Sequence, residues 1–296
     1  PGFFVSVGAT QSSQYIVISA HDHQTSESHL INAADPTAAP VLVAARQEGV
    51  EYDLEHDAPR NRFLIVTNAD GAQDFKLVEM PAETLDKAGW QDVVPHRPGI
   101  LLLSQIAYHD HHVRLEREHG SNRLVVRTMA DEAEHTIAFD ETAYDLSPLG
   151  SLEYETTMLR FSYSSMTTPE QVFDYDMVSR KRHLLKEQEV PSGHNASDYV
   201  TTRIFATADD GVRVPISLLY RKGLKLDGSA PCLLYGYGAY GISMPASFSV
   251  SRLSLVDRGF VYAIAHIRGG KECGYDWYKQ GKLNKKPNTF KDFISA

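Results

Sequence analysis

Short apolar runs dominate the first two thirds of the chain. From residue 1 to about residue 190, segments rich in Val, Ile, Leu and Tyr alternate with turn-forming residues, and helical periodicity is almost absent. This pattern predicts an all-β module. The predicted strands are Phe3–Val7, Tyr15–Ser19, His29–Asn32, Pro40–Val43, Tyr52–Leu54, Phe63–Thr67, Phe75–Glu79, Asp92–Val94, Ile100–Ile106, His112–Glu116, Arg123–Arg127, His135–Phe139, Leu152–Thr156, Met158–Tyr163, Gln171–Asp176 and Lys181–Lys186.

These strands form a repeat. Taken four at a time they give about four units of roughly 45 residues, which is the length of a four-stranded β-propeller blade. A β-sandwich also contains many short strands, and four blades could either close a small ring or belong to a larger one. The favoured prediction is a partial β-propeller of about four blades over residues 1–192.

A domain boundary is predicted near residue 192. The segment Val190–Asp198 is rich in Pro, Gly, Ser and Asn and interrupts the strand pattern, as a linker does. Charge changes at the same place: residues 1–192 hold 15 basic and 30 acidic residues, whereas residues 193–296 hold 14 and 8, for a net charge of −9 overall. The acidic first part disfavours nucleic acid as a partner, because phosphate binding uses clustered Lys and Arg. It suits a cationic ligand better, although a solvated acidic face is the commoner explanation of such a charge balance.

The pattern after the boundary predicts a mixed α/β module. In chain order the predicted elements are strands Tyr199–Thr207, Val212–Tyr220 and Pro231–Tyr235, a helix from about Ser247 to Asp257, strand Phe260–His266, and a helix capped by Asn288 with Asp292 in its first turn. This order is that of the first part of an α/β-hydrolase domain, predicted over residues 193–296. A fifth strand and the nucleophile motif G-x-S-x-G would come next, and no G-x-S-x-G occurs in the chain. Because the chain opens on Pro1 and stops inside a predicted helix, we expect a fragment of a longer protein.

Composition excludes several protein classes. With 42% hydrophobic and 23% charged residues, the chain is neither collagen-like nor disordered. No apolar run reaches the roughly 18 residues of a membrane helix, and the first residues do not form a signal peptide, so no membrane partner is predicted. Cys232 and Cys273 are too few for a disulfide framework, which predicts a reduced, cytoplasmic protein with two packed thiols.

Two histidine-rich segments offer metal-ligand chemistry. Imidazoles and carboxylates lie close together in His21–His23 and in His109–His112. His109 and His111 would share one face of a strand, but a stable site needs two further ligands that the sequence does not locate. The favoured interpretation is exposed turn histidines, and no metal is predicted.

The segment Gly236–Gly241 matches the dinucleotide fingerprint G-x-G-x-x-G. Its context does not fit, because Pro245 comes too soon for a helix to open there and Asp257 precedes a strand instead of ending one. No nucleotide or other cofactor is therefore predicted. The glycines instead allow a sharp turn at the end of the third strand, where a hydrolase builds part of its oxyanion hole.

Four segments carry a resemblance to a known family. Leu226–Gly241, Ser251–Leu253, Arg258–Gly270 and Lys286–Phe293 resemble the prolyl oligopeptidase family of serine peptidases, and within it the oligopeptidase B (protease II) group. Over residues 1–198 the resemblance is weaker and rests on the blade pattern and Asp174-Tyr-Asp-Met177. It implies a seven-bladed propeller that limits access to an α/β-hydrolase domain, and a Ser-Asp-His triad that cleaves short peptides without cofactor or metal. It also implies basic peptide substrates cut after Arg or Lys.

One catalytic position follows from the resemblance. The second tyrosine of the Tyr-Gly-Tyr-Gly motif, Tyr237, is expected to supply a hydroxyl to the oxyanion hole, and the alternative is a ring that merely packs under the loop. Tyr235 and Tyr240 are expected to pack. The triad serine, aspartate and histidine are expected to lie outside this chain, which alone would be inactive. Bacterial oligopeptidase B proteins often carry acidic residues where this chain has Met244–Phe248, so a preference for two basic residues is not carried over.

Two other functions stay open at this point. A proline-specific oligopeptidase would belong to the same family and cut after Pro. A non-catalytic propeller that binds peptides or partners would keep the blades and never have had a nucleophile. Cleavage preference, natural substrates and oligomeric state do not follow from the sequence.

Overall fold

The computed structural model describes residues 2–118, 120–141, 143–151 and 153–296. Within those ranges the strands form five four-stranded sheets. The first two sheets contain β1 (Phe4–Ala9), β2 (Tyr15–His21), β3 (Ser26–Asn32) and β4 (Val41–Leu42), then β5 (Tyr52–Asp57), β6 (Arg62–Thr67), β7 (Lys76–Pro81) and β8 (Gln91–Val94). The next two contain β9 (Ile100–Ala107), β10 (His111–Glu118), β11 (Ser121–Thr128) and β12 (Glu134–Thr136), then β13 (Tyr144–Leu149), β14 (Met158–Ser165), β15 (Gln171–Asp176) and β16 (Lys181–Glu187).

Each of these four sheets is a meander of consecutive strands. Neighbours along the chain are neighbours in the sheet, and ladders such as β1–β2, β5–β6 and β13–β14 are antiparallel. Short hairpin connections allow this arrangement, because antiparallel strands need only a tight turn between them. The four sheets confirm the predicted propeller blades.

Strand β6 explains why the apolar runs are continuous and do not alternate. Phe63 and Ile65 pack with Leu30 of the first sheet, whereas Leu64 and Val66 pack in a second cluster with Leu102 of the third sheet. Successive side chains of a strand point to opposite faces, so both faces of this blade are buried. The run from 63 to 66 is therefore apolar at every position, which is the pattern of a strand covered on both sides.

One predicted strand is wrong. The fourth blade begins with β13, and residues 153–156 of the predicted strand Leu152–Thr156 lie in a bend, while Leu152 itself falls outside the described residues. Pro148 made the true strand look like a turn, because proline cannot donate a ladder hydrogen bond. Strand β13 is an edge strand, where that loss is tolerated, and Pro148 pairs with Phe161 of β14.

The fifth sheet has mixed pairing. It contains β17 (Tyr199–Thr207), β18 (Arg213–Arg221), β19 (Cys232–Tyr235) and β20 (Val261–Ala265), in the order β17-β18-β20-β19. The pairs β17–β18 and β18–β20 are antiparallel, and β19–β20 is parallel. Every residue of β20 is buried, as expected for a central strand. The predicted hairpin, third strand and fourth strand are therefore present.

Three α-helices follow the hairpin: α1 (Val250–Val256), α2 (Tyr275–Lys279) and α3 (Pro287–Ser295). Leu253 and Val256 of α1 pack against Tyr262 and Ile264 of the sheet. Helix α3 begins with Pro287 after an N-cap at Lys286, so the prediction that Asn288 caps this helix is wrong. Proline is favoured at the first helical position because its missing N–H would have no partner there.

The chain divides into two compact units. One comprises residues up to 116, 124–136 and 150–159, and the other comprises 117–123, 137–149 and 160–296. The second unit therefore includes most of the fourth blade together with the fifth sheet. The predicted boundary at residue 192 stays a prediction.

Neither a membrane helix nor a metal cluster is found in the described ranges. No helix there combines the length and apolarity needed to cross a membrane. No group of three or more His, Cys, Asp or Glu side chains there could hold a metal ion. The interpretation of the second histidine segment as exposed turn residues is wrong for His111 and His112, which are buried in β10.

Buried His112 joins a hydrogen-bonded chain between two blades. Gln105 Nε2 donates to the carbonyl oxygen of Leu64 over 3.0 Å, which leaves Gln105 Oε1 to accept from His112 Nε2 over 2.9 Å. Burial, with Arg114 and Arg127 nearby, lowers the pKa of His112 to about 3 from 6.5. The imidazole is thus neutral in the folded protein at neutral pH.

Acidification is expected to destabilise the fold through His112. Its folded pKa lies below its unfolded pKa, so its contribution is complete above about pH 6.5 and is lost as the pH falls toward about 3. Between about pH 8 and about pH 5 the wild-type protein should lose about 2 kcal/mol more unfolding free energy than His112→Gln. Urea unfolding at both pH values measures this, with His109→Gln as the control. Equal losses in wild type and His112→Gln would contradict the assignment.

Candidate active site

Tyr237 lies in a glycine-rich turn that follows β19. The strand ends at Tyr235, and the segment Gly236–Gly241 leads away from the sheet. The Tyr237 side chain is 42% exposed, and no residue in the described part of the chain hydrogen bonds to its hydroxyl. A phenol in this position has its donor free for a group outside the chain.

The turn requires glycine because other backbone lies against it. Gly238 has φ +62°, and a Cβ there would lie 2.5 Å from Thr289 Cγ2 and 2.6 Å from Ile267 Cγ1. A Cβ on Gly269 would lie 2.1 Å from the Gly238 carbonyl oxygen. The missing side chains therefore let two loops approach at a distance that no other residue permits.

Hydrogen bonds hold this turn from two sides. Gly241 N donates to the Gly269 carbonyl oxygen over 2.9 Å, and Gly269 N donates to the Trp277 carbonyl oxygen over 3.0 Å. Lys286 Nζ, at the start of α3, donates to the Gly238 carbonyl oxygen. The loop after β20 and the beginning of α3 thus fix the backbone on which Tyr237 is placed.

A buried ion pair anchors both of these supports. Arg268 and Asp292 are 3% and 0% exposed, with Nε–Oδ2 at 2.9 Å and Nη2–Oδ1 at 2.6 Å. Asp292 Oδ2 also accepts the Arg268 backbone N–H over 2.9 Å. Hydrogen bonds to Asp292, and then to Asp210 in the β17–β18 turn, raise the pKa of Arg268 well above its usual range. The pair ties the loop after β20 to α3 by two parallel bonds, the strongest geometry for arginine and carboxylate.

These supports were not predicted from the sequence. The prediction that Asp292 lies in the first turn of the helix and interacts with the helix dipole is wrong, because Asp292 lies inside α3 and pairs with a residue 24 positions earlier. Thr289 Oγ1 likewise donates to the Arg268 carbonyl oxygen over 2.7 Å. The one available signal was an arginine three residues after a fully apolar strand, because a charge that is buried there must find a partner.

A second buried cluster has the connectivity of a catalytic triad. His266 Nε2 lies 2.8 Å from Ser217 Oγ, and His266 Nδ1 lies 3.9 Å from Glu272 Oε1. All three side chains are at most 4% exposed, and Ser217 belongs to the middle of β18. A nucleophile has to reach its substrate, so this cluster does not provide one.

The remaining predicted residues divide into exposed and buried ones. Both cysteines are free, and Cys232 is exposed, so the expectation of a packed thiol is wrong there. Burial, with the Glu272 charge nearby, raises the pKa of Cys273 to about 12, which keeps the thiol protonated and unreactive. Tyr235 and Tyr240 are 41% and 76% exposed, so neither is a buried packing residue.

Comparison with known proteins identifies the family. The profile described as "Prolyl oligopeptidase, N-terminal beta-propeller domain" matches residues 1–188. The chain belongs to the prolyl oligopeptidase family. The profile described as "Prolyl oligopeptidase family" matches residues 246–296, so the second part of the chain contains the start of the peptidase domain. The resemblance stated from the sequence is confirmed.

Individual members of the family match almost all of the chain. Dipeptidyl aminopeptidase BI of Pseudoxanthomonas mexicana is 41% identical over 99% of this chain and 40% of its own length. Protease 2 of Moraxella lacunata is 32% identical over 99% of this chain and 42% of its own length. The solved structure of oligopeptidase B from Leishmania major superposes with a TM-score of 0.93 at 32% identity, covering 99% of this chain and 42% of that one. The chain thus spans about 40% of the length of these relatives.

Removal of the Asp292 carboxylate is expected to destabilise the protein strongly. Asp292→Ala leaves the Arg268 guanidinium buried without its bidentate partner, which should cost about 3–5 kcal/mol of unfolding free energy. Lys291→Ala, at an exposed position of the same helix, should cost less than about 0.5 kcal/mol. Chemical denaturation of the two variants makes the comparison. A loss in Asp292→Ala no larger than that in Lys291→Ala would refute the role given to the ion pair.

Proposed function

We propose that the protein acts as a serine-type oligopeptidase that cleaves short peptides, with Tyr237 as one donor of its oxyanion hole. The observation that carries this proposal is the exposed Tyr237 hydroxyl, which has no partner among the described residues and stands on a turn held rigid from both sides. Membership of a family of serine peptidases supports it. The geometry suits a group that meets its partner only in the transition state.

The chemistry needs such a donor. When a serine attacks a peptide carbonyl, the carbonyl oxygen becomes an anion in the tetrahedral intermediate. A preorganised hydroxyl that donates to this oxygen lowers the activation free energy by about 3 kcal/mol, because it does not have to reorganise during the reaction. No G-x-S-x-G occurs in these 296 residues, so we propose that the triad serine, aspartate and histidine lie in the full-length protein outside this sequence.

We further propose that the enzyme cleaves after a single Arg or Lys and does not require a second basic residue in the substrate. The similarity to protease 2 and to oligopeptidase B supports this, and so does the acidic balance of residues 1–192. The segment Met244–Phe248, directly after the Tyr237 turn, carries no carboxylate that would select a second basic residue. The propeller would restrict access to short, flexible peptides, and the enzyme would work in the cytoplasm without a cofactor.

One observation favours a second candidate. The relative at 41% identity is named a dipeptidyl aminopeptidase, an activity that releases dipeptides from a free amino end. This alternative keeps the same serine chemistry and the same role for Tyr237. It differs in whether the substrate amino terminus has to be free.

Loss of the Tyr237 hydroxyl is expected to slow catalysis and leave binding nearly intact. In the full-length enzyme, Tyr237→Phe should lower kcat by about 10²–10³-fold with KM within about threefold, because the donor acts on the transition state. Tyr240→Phe is the matched control, since that ring is 76% exposed in the same turn. Steady-state kinetics on a fluorogenic peptide gives both constants. An unchanged kcat in Tyr237→Phe would exclude the oxyanion role.

Three matched substrates distinguish the proposed activities. The full-length enzyme should cleave an amino-blocked peptide ending in Arg faster than the same peptide ending in Pro or an unblocked dipeptide ending in Arg. Faster cleavage of the Pro peptide would select a proline-specific enzyme, and a requirement for the free amino group would select the dipeptidyl aminopeptidase alternative. No cleavage of any of the three would favour a binding module. The 296-residue chain alone should be inactive.

A further inference from the structure

The segment that follows the Tyr237 turn has no secondary structure of its own. Residues 242–249 lie between the turn and helix α1 without forming a helix or a strand. Such a segment has no repeating backbone hydrogen bonds to fix it, so its position depends on contacts from elsewhere. Those contacts decide how firmly the end of the turn is held.

Three contacts hold the end of the turn and the beginning of this segment. Gly241 N donates to the Gly269 carbonyl oxygen over 2.9 Å. Ser243 Oγ accepts from Arg117 Nη1 over 2.7 Å. Met244 N donates to Glu272 Oε1 over 3.0 Å. At this end of the segment the Glu272 carboxylate binds the backbone, whereas Ser164 Oγ accepts from Phe248 N over 2.8 Å at the other end.

Glu272 is itself held in a single position. It is 4% exposed, and its Oε2 would lie 2.0 Å from a Cβ placed on Gly270, so the carboxylate rests directly on that glycine. On its other side lies His266 Nδ1 at 3.9 Å, and the His266 ring is fixed by its 2.8 Å contact with Ser217 Oγ. A buried carboxylate in such a packed site has little freedom to follow a moving partner.

Two half-buried arginines lie close enough to Glu272 to interact with its charge. Burial lowers the pKa of Arg117 and of Arg203, and the attraction of Glu272 acts in the opposite direction on both. Arg117 also donates from Nε to Asn122 Oδ1 over 2.8 Å, which orients its guanidinium toward Ser243. Arg117 and Glu272, which attract each other, therefore each contact the start of the segment, Arg117 through Ser243 and Glu272 through Met244.

We infer that Glu272 is a positioning residue for Tyr237: by holding Met244 it fixes the far end of the Gly236–Gly241 turn, and with it the phenol that would donate to the oxyanion. The near end is fixed by β19 and by the bond from Lys286 to Gly238. A catalytic group displaced by about 1 Å can lose about 10²-fold in rate, so an anchor at Met244, three residues after the last glycine of the turn, affects catalysis. This inference rests on the proposed function.

A double-mutant cycle in the full-length enzyme tests the inference. Glu272→Ala should lower kcat about tenfold with KM within about twofold, because a misplaced donor weakens only the transition state. In a Tyr237→Phe background the same substitution should lower kcat by less than about twofold, since there is no longer a hydroxyl to position. Asp257→Ala, which removes contacts to Tyr199 and Arg221 and none to the turn, is the control for a general loss of stability.

Conservative variants separate positioning from mere structural support. Glu272→Gln retains an acceptor for Met244 N and should keep kcat within about threefold of wild type, even if the loss of charge beside the arginines lowers its melting temperature. Glu272→Asp shortens the side chain by one methylene, which moves the carboxylate away from Met244 N, and should lower kcat as Glu272→Ala does. If Glu272→Ala does not fold, Glu272→Asp replaces it in the cycle.

Each outcome of the cycle has one meaning. A folded Glu272→Ala with wild-type kcat, or one whose loss is equally large in the Tyr237→Phe background, would overturn the positioning role while leaving the proposed function intact. A Tyr237→Phe enzyme with wild-type kcat would overturn the oxyanion assignment, and the positioning role with it. Coupled losses in the two variants support both.

Discussion

The buried ion pair between Arg268 and Asp292 is the contact on which the candidate site depends. It joins the loop after the central strand β20 to helix α3, and these two elements together hold the Tyr237 turn. Two charges withdrawn from water are stabilising only when they are paired with good geometry, and here both guanidinium edges find a carboxylate. The rigidity of the turn comes from this pair and from the glycines that let the loops approach.

The propeller part is organised by a different constraint, which is burial on both faces. A blade strand such as β6 packs against the blade before it and the blade after it, so its side chains form two separate clusters. A few polar side chains enter this interior, and Gln105 links two blades there by donating to the Leu64 carbonyl oxygen of one blade and accepting from His112 of its own. Stacked blades thereby combine an apolar interior with a few specific polar connections.

The two polar clusters around the turn have distinct roles. The Arg268–Asp292 pair supports the first half of the turn through Gly238 and Gly269, whereas Glu272 and Arg117 support the segment after it. The Ser217–His266–Glu272 cluster has the hydroxyl, imidazole and carboxylate of a catalytic triad in the same order. It is buried, so a substrate cannot reach it. The same residue types that perform catalysis when exposed here provide a fixed scaffold.

The amino-acid sequence alone predicts the blade repeat, the hairpin and strands of the fifth sheet, and the position of the glycine turn with Tyr237. These follow from local signals, namely apolar runs, turn residues and a specific motif. It misplaced the first strand of the fourth blade, because Pro148 is tolerated only where an edge leaves its missing N–H without consequence. The pairing of Asp292 with Arg268, the contact of Glu272 with Met244 and the burial of His112 become apparent only in the folded protein. Those contacts join residues far apart in the chain, and no local pattern specifies which distant charge or amide a buried side chain will meet.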